Sequence, residues 1–153
     1  MNEPEEPVTV SDLEITYRGT VYPWHCDHIG HMNVMWYVGK FDEATWQLFA
    51  GIGLVPARLR EERRGMVAVD QRISYRRELR AGDVVLVRSG VLSVGTTSLR
   101  FCHVMEDAVS GEVCAVTVVT GVHFDLVARR AVALGREVRA GARERITSFD
   151  PGM

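Results

Sequence analysis

The sequence predicts one α+β domain, in which an antiparallel sheet of about five strands wraps round a single long central helix. Apolar residues recur at helical spacing between Asn33 and Ala50, and segments rich in Val, Ile, Thr and aromatic residues lie on either side of them. The turns between the later segments are short, and short turns join antiparallel neighbours. At 153 residues the chain has room for one domain with a real core.

Turn and cap signals mark the ends of the predicted elements. Pro23 ends the first strand, Ile15–Tyr22, because proline has no backbone N–H to donate to a sheet. Asn33 is a suitable N-cap for the long helix, and Gly51 and Gly53 are expected to end it. A short polar helix or loop is expected over Arg58–Arg64. Four further strands follow: Met66–Glu78, Asp83–Ser93, Ser98–Glu106 and Val113–Phe124.

The chain divides into three parts. Residues 1–12 are acidic, contain prolines and lack periodicity, so they are predicted to be a flexible leader. Residues 13–127 form the folded domain. Residues 128–153 are a C-terminal extension rich in arginine and alanine, and the sequence leaves open whether it is a helix or a strap over the sheet.

The predicted helix is apolar around most of its circumference. Lys40, Glu43 and Gln47 define its polar side. The apolar stripe is widened by Met35, Trp36, Trp46 and Phe49. Five strands of the same chain cannot cover such a helix, so a second subunit is expected to close the remainder.

Composition excludes several functional classes. The formal net charge is -2 with no obvious basic face, so a nucleic-acid partner is not expected. No apolar stretch approaches the ~20 residues of a membrane span, and the acidic start is unlike a signal peptide, which predicts a cytoplasmic protein without a membrane partner. The three cysteines lack CxxC spacing, which argues against a disulfide framework and a thiolate zinc site.

The most informative segment is WHCDHIGHMNVMWYVGKFDEA, residues 24–44. Its Asp27, Gly30 and Tyr37 stand at the spacings found in the 4-hydroxybenzoyl-CoA thioesterase family of hotdog-fold proteins, which the segment resembles. The resemblance extends over about residues 15–125. It implies a hotdog fold and an acyl-CoA thioesterase that acts as a homodimer or homotetramer, shares its sites between subunits and requires no cofactor or metal.

The chemistry of this segment suits thioester hydrolysis. Asp27 precedes a helix N-terminus, where unpaired amides and the helix dipole stabilise negative charge. Its carboxylate can attack the carbonyl or activate water, and the sequence leaves that choice open. The resemblance assigns the oxyanion donor to the Val34 N–H, and Gly30 lets the backbone approach the substrate. The competing interpretation of Asp27 is a simple capping or turn residue.

Histidines surround the predicted catalytic aspartate. His25, His28 and His31 are evenly spaced, but no further ligand stands at helical i+4 spacing, so a metal site is not expected. His31 is instead expected to orient the turn or Asp27, and the other two to be partly solvated. His103 and His123 are expected to be satisfied residues of the sheet.

The predicted substrate-binding residues are Asn33, Trp36, Tyr37, Trp46 and Tyr75. The stretch WYVGKFDEATW is similar to thioesterase domains associated with carnitine metabolism, which release betaine from betainyl-CoA. That resemblance implies a cationic acyl group, which aromatic rings would bind through cation–π contacts. Core packing is the alternative role for the same rings.

Two other functions remain open. Hotdog dehydratases use a histidine near the position of this aspartate, so His31 keeps a dehydratase possible, and a non-catalytic acyl-CoA-binding or scaffold protein is the third option. Glu43 is interpreted as a polar-face residue, although other hotdog subfamilies place a catalytic glutamate on their helix. Arg76, Arg77 and Arg100 could reach CoA phosphates or simply be solvated.

Overall fold

The computed structural model describes residues 4–153, so the first three residues of the predicted leader lie outside the described part of the chain. Six strands and three α-helices follow one another along it. The strands are β1 (Glu14–Thr20), β2 (Arg64–Tyr75), β3 (Val84–Val94), β4 (Ser98–Asp107), β5 (Val113–Asp125) and β6 (Arg130–Ala131). The helices are α1 (Val34–Gly51), α2 (Pro56–Glu62) and α3 (Arg136–Glu144). Short 3-10 turns lie at Val10–Asp12 and Pro23–His25.

The strands form one antiparallel sheet in the order β1-β3-β4-β5-β2, with the short β6 beside β5. The long helix α1 packs on the sheet, chiefly against β1 and β3. This arrangement confirms the predicted α+β hotdog fold. No helix within residues 4–153 is both long and apolar enough to cross a membrane.

Helix α1 is fixed at both ends by the residues that the sequence suggests. The Asn33 side chain accepts the Met35 N–H and caps the first turn. Gly53, at φ +92°, takes a left-handed conformation just beyond the last turn. The buried residues of α1 are Tyr37, Lys40, Phe41, Ala44, Leu48 and Phe49. All of them except Lys40 pack into two apolar clusters, one toward each end of the helix.

The prediction that Lys40 lies on the polar side of α1 was wrong. Its side chain is only 4% exposed. The ammonium group donates to the Tyr17 hydroxyl at 3.1 Å and to the Thr20 carbonyl at 3.3 Å, which replaces part of its lost hydration. Burial lowers the pKa of Lys40, while the nearby Glu43 opposes that change.

The C-terminal extension contains both a strand and a helix. Strand β6 pairs with the end of β5. Helix α3 buries Val138 and Ala142 against an apolar cluster that includes Ile52 and Leu59. The extension is therefore packed on the rest of the domain.

Strand β2 forms one edge of the sheet, with β5 on its only paired side. Its middle residues, 67–72, are exposed on both faces, and a bulge between Ala68 and Asp70 leaves Val69 60% exposed. Trp46 and Val38 of α1 are also exposed within the chain. Exposed apolar side chains on α1 thus occur together with an unpaired edge of the sheet at β2.

A buried chain of polar side chains lies beneath α1. Thr45 donates to the Phe41 carbonyl, so its hydroxyl accepts from Nε2 of His103 at 2.8 Å. Nδ1 of His103 then accepts from Ser89, which bonds Thr16 at 2.6 Å. These partners satisfy a neutral imidazole, and burial lowers the pKa of His103 to about 3. His103 and His123, whose Nδ1 lies 3.0 Å from the Ala133 carbonyl, are confirmed as satisfied sheet residues.

The buried imidazole predicts an acid-sensitive fold. The unfolded chain protonates His103 near pH 6.5, whereas the folded chain resists this protonation. As the pH drops below 6.5, the free energy of unfolding therefore decreases by up to ~1.4 kcal/mol per pH unit, until the pKa of folded His103 is reached. Thermal unfolding measured from pH 7 to pH 4 checks this slope. His103→Gln should reduce it, and the exposed His28→Gln is the matched control. An unchanged slope in His103→Gln would contradict the assignment.

Candidate active site

A compact loop between β1 and α1 carries Asp27. The 3-10 turn at Pro23–His25 leads into a bridge between Cys26 and Met32. Within that bridge the Asp27 N–H donates to the His31 carbonyl at 3.2 Å, and the Gly30 N–H donates to the Asp27 carbonyl at 3.0 Å. Gly30 has φ +96°, which a residue with a side chain rarely adopts, so the turn depends on glycine.

The Asp27 carboxylate is held by two donors. Oδ2 accepts from Nδ2 of Asn33 at 3.0 Å, and Oδ1 accepts from the Ile29 N–H at 2.9 Å. These bonds, the Asn33 bond above all, lower the pKa of Asp27, and His31 and His28 act in the same direction when they are protonated. Asp27 is therefore an anion at neutral pH.

Asn33 links this carboxylate to the start of α1. While its Nδ2 donates to Asp27, its Oδ1 accepts the Met35 N–H at 3.0 Å, and its backbone carbonyl accepts the Trp36 N–H. The Val34 N–H makes no hydrogen bond with any group in residues 4–153. The Val34 amide at the helix N-terminus thus has no acceptor among the described residues. It directly follows Asn33, whose side chain holds the Asp27 carboxylate.

The three neighbouring histidines have separate environments. His25 is buried, which corrects the prediction that it is partly solvated, and its Nδ1 accepts the Tyr22 N–H at 3.0 Å. Burial lowers the pKa of His25. His28 is exposed, and Nε2 of His31 lies 3.5 Å from the Glu78 carboxylate. Asn33, rather than a histidine, bonds the Asp27 carboxylate. Within residues 4–153, no three potential metal-ligating side chains cluster together.

The predicted substrate-binding aromatics fall into three places. Tyr37 is buried, its hydroxyl donates to the Arg77 carbonyl, and its ring packs edge to face on Tyr75 at 5.2 Å. Burial raises the pKa of Tyr37 to about 12. Trp36 packs against His25 at 4.5 Å between centroids. Trp46 packs against Phe49, on another side of α1, so the two tryptophans do not meet.

Trp36 lines an open groove between β1, the Asp27 loop and α1, here called the aromatic groove, with a volume of about 580 Å³. Its lining consists of Tyr17, Gly19, Thr20, Tyr22, Trp24, His25, Trp36, Gly39, Lys40 and Glu43. Tyr22 and Trp24 stack in parallel with centroids 4.6 Å apart, and Trp24 is 66% exposed. The groove therefore combines aromatic faces with the buried Lys40 ammonium and an exposed carboxylate.

Trp46 lines a narrower slot of about 90 Å³ between α1 and β2. The polar groups at this slot are Asp42, Thr45 and Gln71. Trp46 and Met66 also border a wider depression of about 600 Å³ whose other residues include Arg60, Arg63 and Arg64. The slot and the depression are thus adjacent at the β2 side of α1.

A family comparison identifies the architecture. The model of the Thioesterase-like superfamily matches residues 21–142. The chain belongs to this superfamily. It is accordingly a thioester hydrolase, and the matched region contains the Asp27 loop, α1 and all of the long strands after it.

Several solved structures share the fold of this chain. The probable thioesterase YbaW of Escherichia coli has a TM-score of 0.73 at 24% identity, over 88% of this chain and 100% of its own. The 1,4-dihydroxy-2-naphthoyl-CoA thioesterase Slr0204 of Synechocystis gives 0.77 at 17%, over 85% and 96%. A Staphylococcus aureus protein in complex with CoA gives 0.83 at 16%, over 90% and 89%. Comparison with curated proteins finds no significant match.

Sequence reasoning missed several features of this candidate site. Tyr17 and Lys40 were not assigned to it, because a strand tyrosine and a helix lysine carry no motif. The bond between Asn33 and Asp27 was also missed. The N-cap signal at Asn33 was the available clue, because a capping amide has an N–H₂ group left to donate.

Replacing Asn33 separates its two tasks. Asn33→Ser keeps an N-cap oxygen but removes the amide donor, so the pKa of Asp27 should rise toward its ordinary value while α1 remains capped. Carbon-detected NMR titration of the Asp27 carboxyl measures this shift. A well-folded Asn33→Ser protein with an unchanged Asp27 pKa would show that the amide does not control it.

Proposed function

We propose that the protein is an acyl-CoA thioesterase that hydrolyses a small acyl-CoA to the free acid and CoA, with Asp27 as its catalytic carboxylate. The observation that carries this proposal is the pairing of an oriented, anionic Asp27 with the open Val34 N–H at the start of α1. Thioester hydrolysis requires a negatively charged oxygen and a donor for the oxyanion, and these residues supply both.

The reaction is derived from those two groups. The substrate carbonyl receives the Val34 N–H, and an oxygen attacks its carbon to give a tetrahedral oxyanion. Collapse breaks the C–S bond and expels the CoA thiolate, which takes up a proton. If Asp27 is the nucleophile, water then hydrolyses the acyl anhydride; if it is the base, water attacks directly. The lowered pKa of Asp27 keeps its carboxylate ionised, which either role requires.

Gly30 and His31 support the carboxylate in this proposal. The left-handed Gly30 brings Asp27 and Asn33 to the same side of the loop. When protonated, the His31 imidazole adds positive charge near Asp27, and its Nε2 lies 3.5 Å from the Glu78 carboxylate. Both residues therefore act on Asp27 without forming a bond to the substrate.

CoA as the leaving group is supported by two structural relatives. One was solved in complex with CoA, and another is a thioesterase for a naphthoyl-CoA. The same proposal includes a homodimer or a tetramer of such dimers. Its support is the open β2 edge together with exposed Val69, Val38 and Trp46, which a second subunit would cover.

Betainyl-CoA is the proposed acyl substrate, and the aromatic groove supports it. Tyr22, Trp24 and Trp36 offer ring faces for a trimethylammonium group, and Glu43 adds a negative charge. Lys40 opposes this interaction with its own positive charge. The Tyr17 hydroxyl and the Thr20 carbonyl accept hydrogen bonds from the Lys40 ammonium and partly offset its charge. A role of the protein in carnitine metabolism would require betainyl-CoA as its substrate.

Removing the carboxylate tests the proposed activity. Asp27→Asn keeps the shape of the side chain, so the fold should remain and kcat for acyl-CoA hydrolysis should fall by at least ~100-fold. The assay uses a panel of acyl-CoAs and measures thiol release. Near-wild-type hydrolysis by folded Asp27→Asn would falsify the role of Asp27. Hydration of enoyl-CoA without thiol release would indicate a dehydratase, and binding without turnover would indicate a scaffold.

The two tryptophans distinguish the aromatic groove from the slot. A desolvated trimethylammonium group gains ~0.5–2 kcal/mol on aromatic faces, which a neutral tert-butyl group of equal size lacks. We expect a higher kcat/KM for betainyl-CoA than for the neutral analogue. Trp36→Leu should reduce this preference, and Trp46→Leu should leave it unchanged. If Trp46→Leu reduced the preference and Trp36→Leu left it unchanged, the acyl group would instead lie in the slot. A tenfold or greater preference for straight-chain or aromatic acyl groups would exclude the betaine assignment but leave the thioesterase activity.

A further inference from the structure

The Lys40 ammonium group is buried in protein but borders the aromatic groove. The side chain is 4% exposed, and Lys40 lies in the wall that α1 contributes to the groove. The two groups that accept hydrogen bonds from it belong to Tyr17 and Thr20 of β1, which line the same groove. The ammonium group therefore lies where the helix and strand walls of the groove meet.

One N–H of this ammonium group has no acceptor in the described chain. An ammonium group has three N–H donors. Hydrogen bonds to the Tyr17 hydroxyl and the Thr20 carbonyl use two of them, and Lys40 makes no other side-chain hydrogen bond with residues 4–153. No carboxylate of these residues lies within 4.0 Å of Nζ. A buried donor without a partner costs free energy, so the third acceptor has to come from whatever occupies the groove.

Lys40 is also within reach of an acyl group bound at the helix N-terminus. Trp36 and Lys40 are four residues apart, and side chains at this spacing are neighbours on a helix surface. Val34 lies six residues before Lys40, a rise of about 9 Å along the helix axis. Side chains of a helix lean toward its N-terminus, which brings Nζ closer to the Val34 N–H. An acyl chain that runs from that N–H along the Trp36 ring would reach the ammonium group within a few carbon atoms of its carbonyl.

We propose that the third N–H of Lys40 donates to an oxygen atom on the acyl chain of the substrate. The aromatic groove then selects an acyl group with a hydroxyl, oxo or carboxylate oxygen over a plain hydrocarbon chain of equal length. A plain chain would expel solvent and leave a charged donor unpaired, which penalises its binding. This inference rests on the proposed thioesterase function and on the groove as the acyl site. A cation on the acyl group would act separately, through the ring faces.

The charge of the acceptor is a second variable, because the groove contains charges of both signs. The ammonium group of Lys40 favours an anionic acceptor, whereas the exposed Glu43 carboxylate at the same groove repels one. A neutral hydroxyl avoids that repulsion and still accepts the hydrogen bond. The test therefore includes a hydroxyl acceptor and a carboxylate acceptor.

The first test compares matched acyl-CoAs with and without the additional oxygen. The pairs are β-hydroxybutyryl-CoA against butyryl-CoA, and glutaryl-CoA against valeryl-CoA. In at least one pair the oxygenated substrate should have a kcat/KM at least ~10-fold higher, because only it pairs the buried donor. A preference in the first pair identifies a neutral acceptor, and a preference in the second identifies an anionic one. Similar kcat/KM values within both pairs would overturn the proposal.

Removing the ammonium group assigns the preference to Lys40. Lys40→Met keeps the length of the side chain without its donors, so kcat/KM should fall for the oxygenated substrate and remain for the plain one. Gln47→Met is the matched control, an exposed position of α1 that lines neither the groove nor the slot, and it should keep the preference. An equal loss on both substrates, or an unchanged preference, in Lys40→Met would give Lys40 a structural role only and overturn the proposal.

A spectroscopic test follows Lys40 directly and does not depend on turnover. Lys40 is the single lysine of the chain, so protein grown with lysine isotopically labelled at the ε-carbon gives one lysine NMR signal. In Asp27→Asn, where hydrolysis should be slow, this signal is compared between saturating oxygenated and plain acyl-CoA. It should differ between the two complexes, because only one ligand bonds the ammonium group. Identical signals would overturn the proposal, even if Lys40→Met does not fold.

The outcomes separate this inference from the function on which it rests. Wild-type protein that hydrolyses all of these acyl-CoAs at similar rates would retain the thioesterase proposal and overturn the role of Lys40. Failure of the thioesterase proposal would appear differently, as wild-type protein that releases thiol from none of them. Active Asp27→Asn would contradict the role of Asp27 and leave the preference set by Lys40 measurable in the wild type.

Discussion

The hydrogen bonds of the Asn33 side chain are the constraint on which the active-site region depends. One amide caps α1 through its oxygen and holds Asp27 through its nitrogen. The oxygen must face the Met35 N–H for the helix to begin, so the N–H₂ group of the same plane is directed away from the helix and into the loop. The orientation of the carboxylate is thus set by the start of the helix. A carboxylate tied to a regular element is positioned more accurately than one on a free loop.

Helix α1 meets three different environments around its circumference. One side is buried on the sheet, one forms a wall of the aromatic groove, and one faces the slot and the open β2 edge. This explains why its apolar residues extend beyond a single stripe. Beneath it, the chain from Thr45 through His103 to Ser89 is satisfied within the core. Such a chain favours one alignment of helix and sheet, since any shift would leave a buried polar group without a partner.

Sequence patterns predicted most of the fold because its signals are local. The periodicity of α1, its N-cap and the turns between the strands are all properties of neighbouring residues, and each predicted element is present close to its expected bounds. Lys40 was misjudged for the opposite reason. Periodicity places a lysine in water unless acceptors are known, and those acceptors, on Tyr17 and Thr20, come from a strand about twenty residues earlier. The mixed strand and helix of the extension were likewise decided by packing that no local pattern reveals.

The catalytic role of Asp27 stays a prediction from its motif. In the structure its carboxylate accepts a hydrogen bond from Asn33, the N-cap of α1. The motif contains no information on which side of α1 each tryptophan takes. Trp36 and Trp46 are ten residues apart, which separates them by about 15 Å along the helix axis and by about 80° around it. A shared cage was therefore geometrically difficult, although both rings lie on the same helix.

The positions of the two cavities have a consequence for specificity in the proposed enzyme. The aromatic groove is built from β1, the Asp27 loop and one side of α1, whereas the slot lies between another side of α1 and β2. A substrate whose carbonyl meets the Val34 N–H would extend its acyl group in one direction and its CoA in the other. The residues that select the acyl group and those that bind the common carrier would then be separate in sequence and in space. Acyl preference could change through residues such as Trp24 without altering the slot, since the aromatic groove and the slot share no lining side chain although α1 contributes to both.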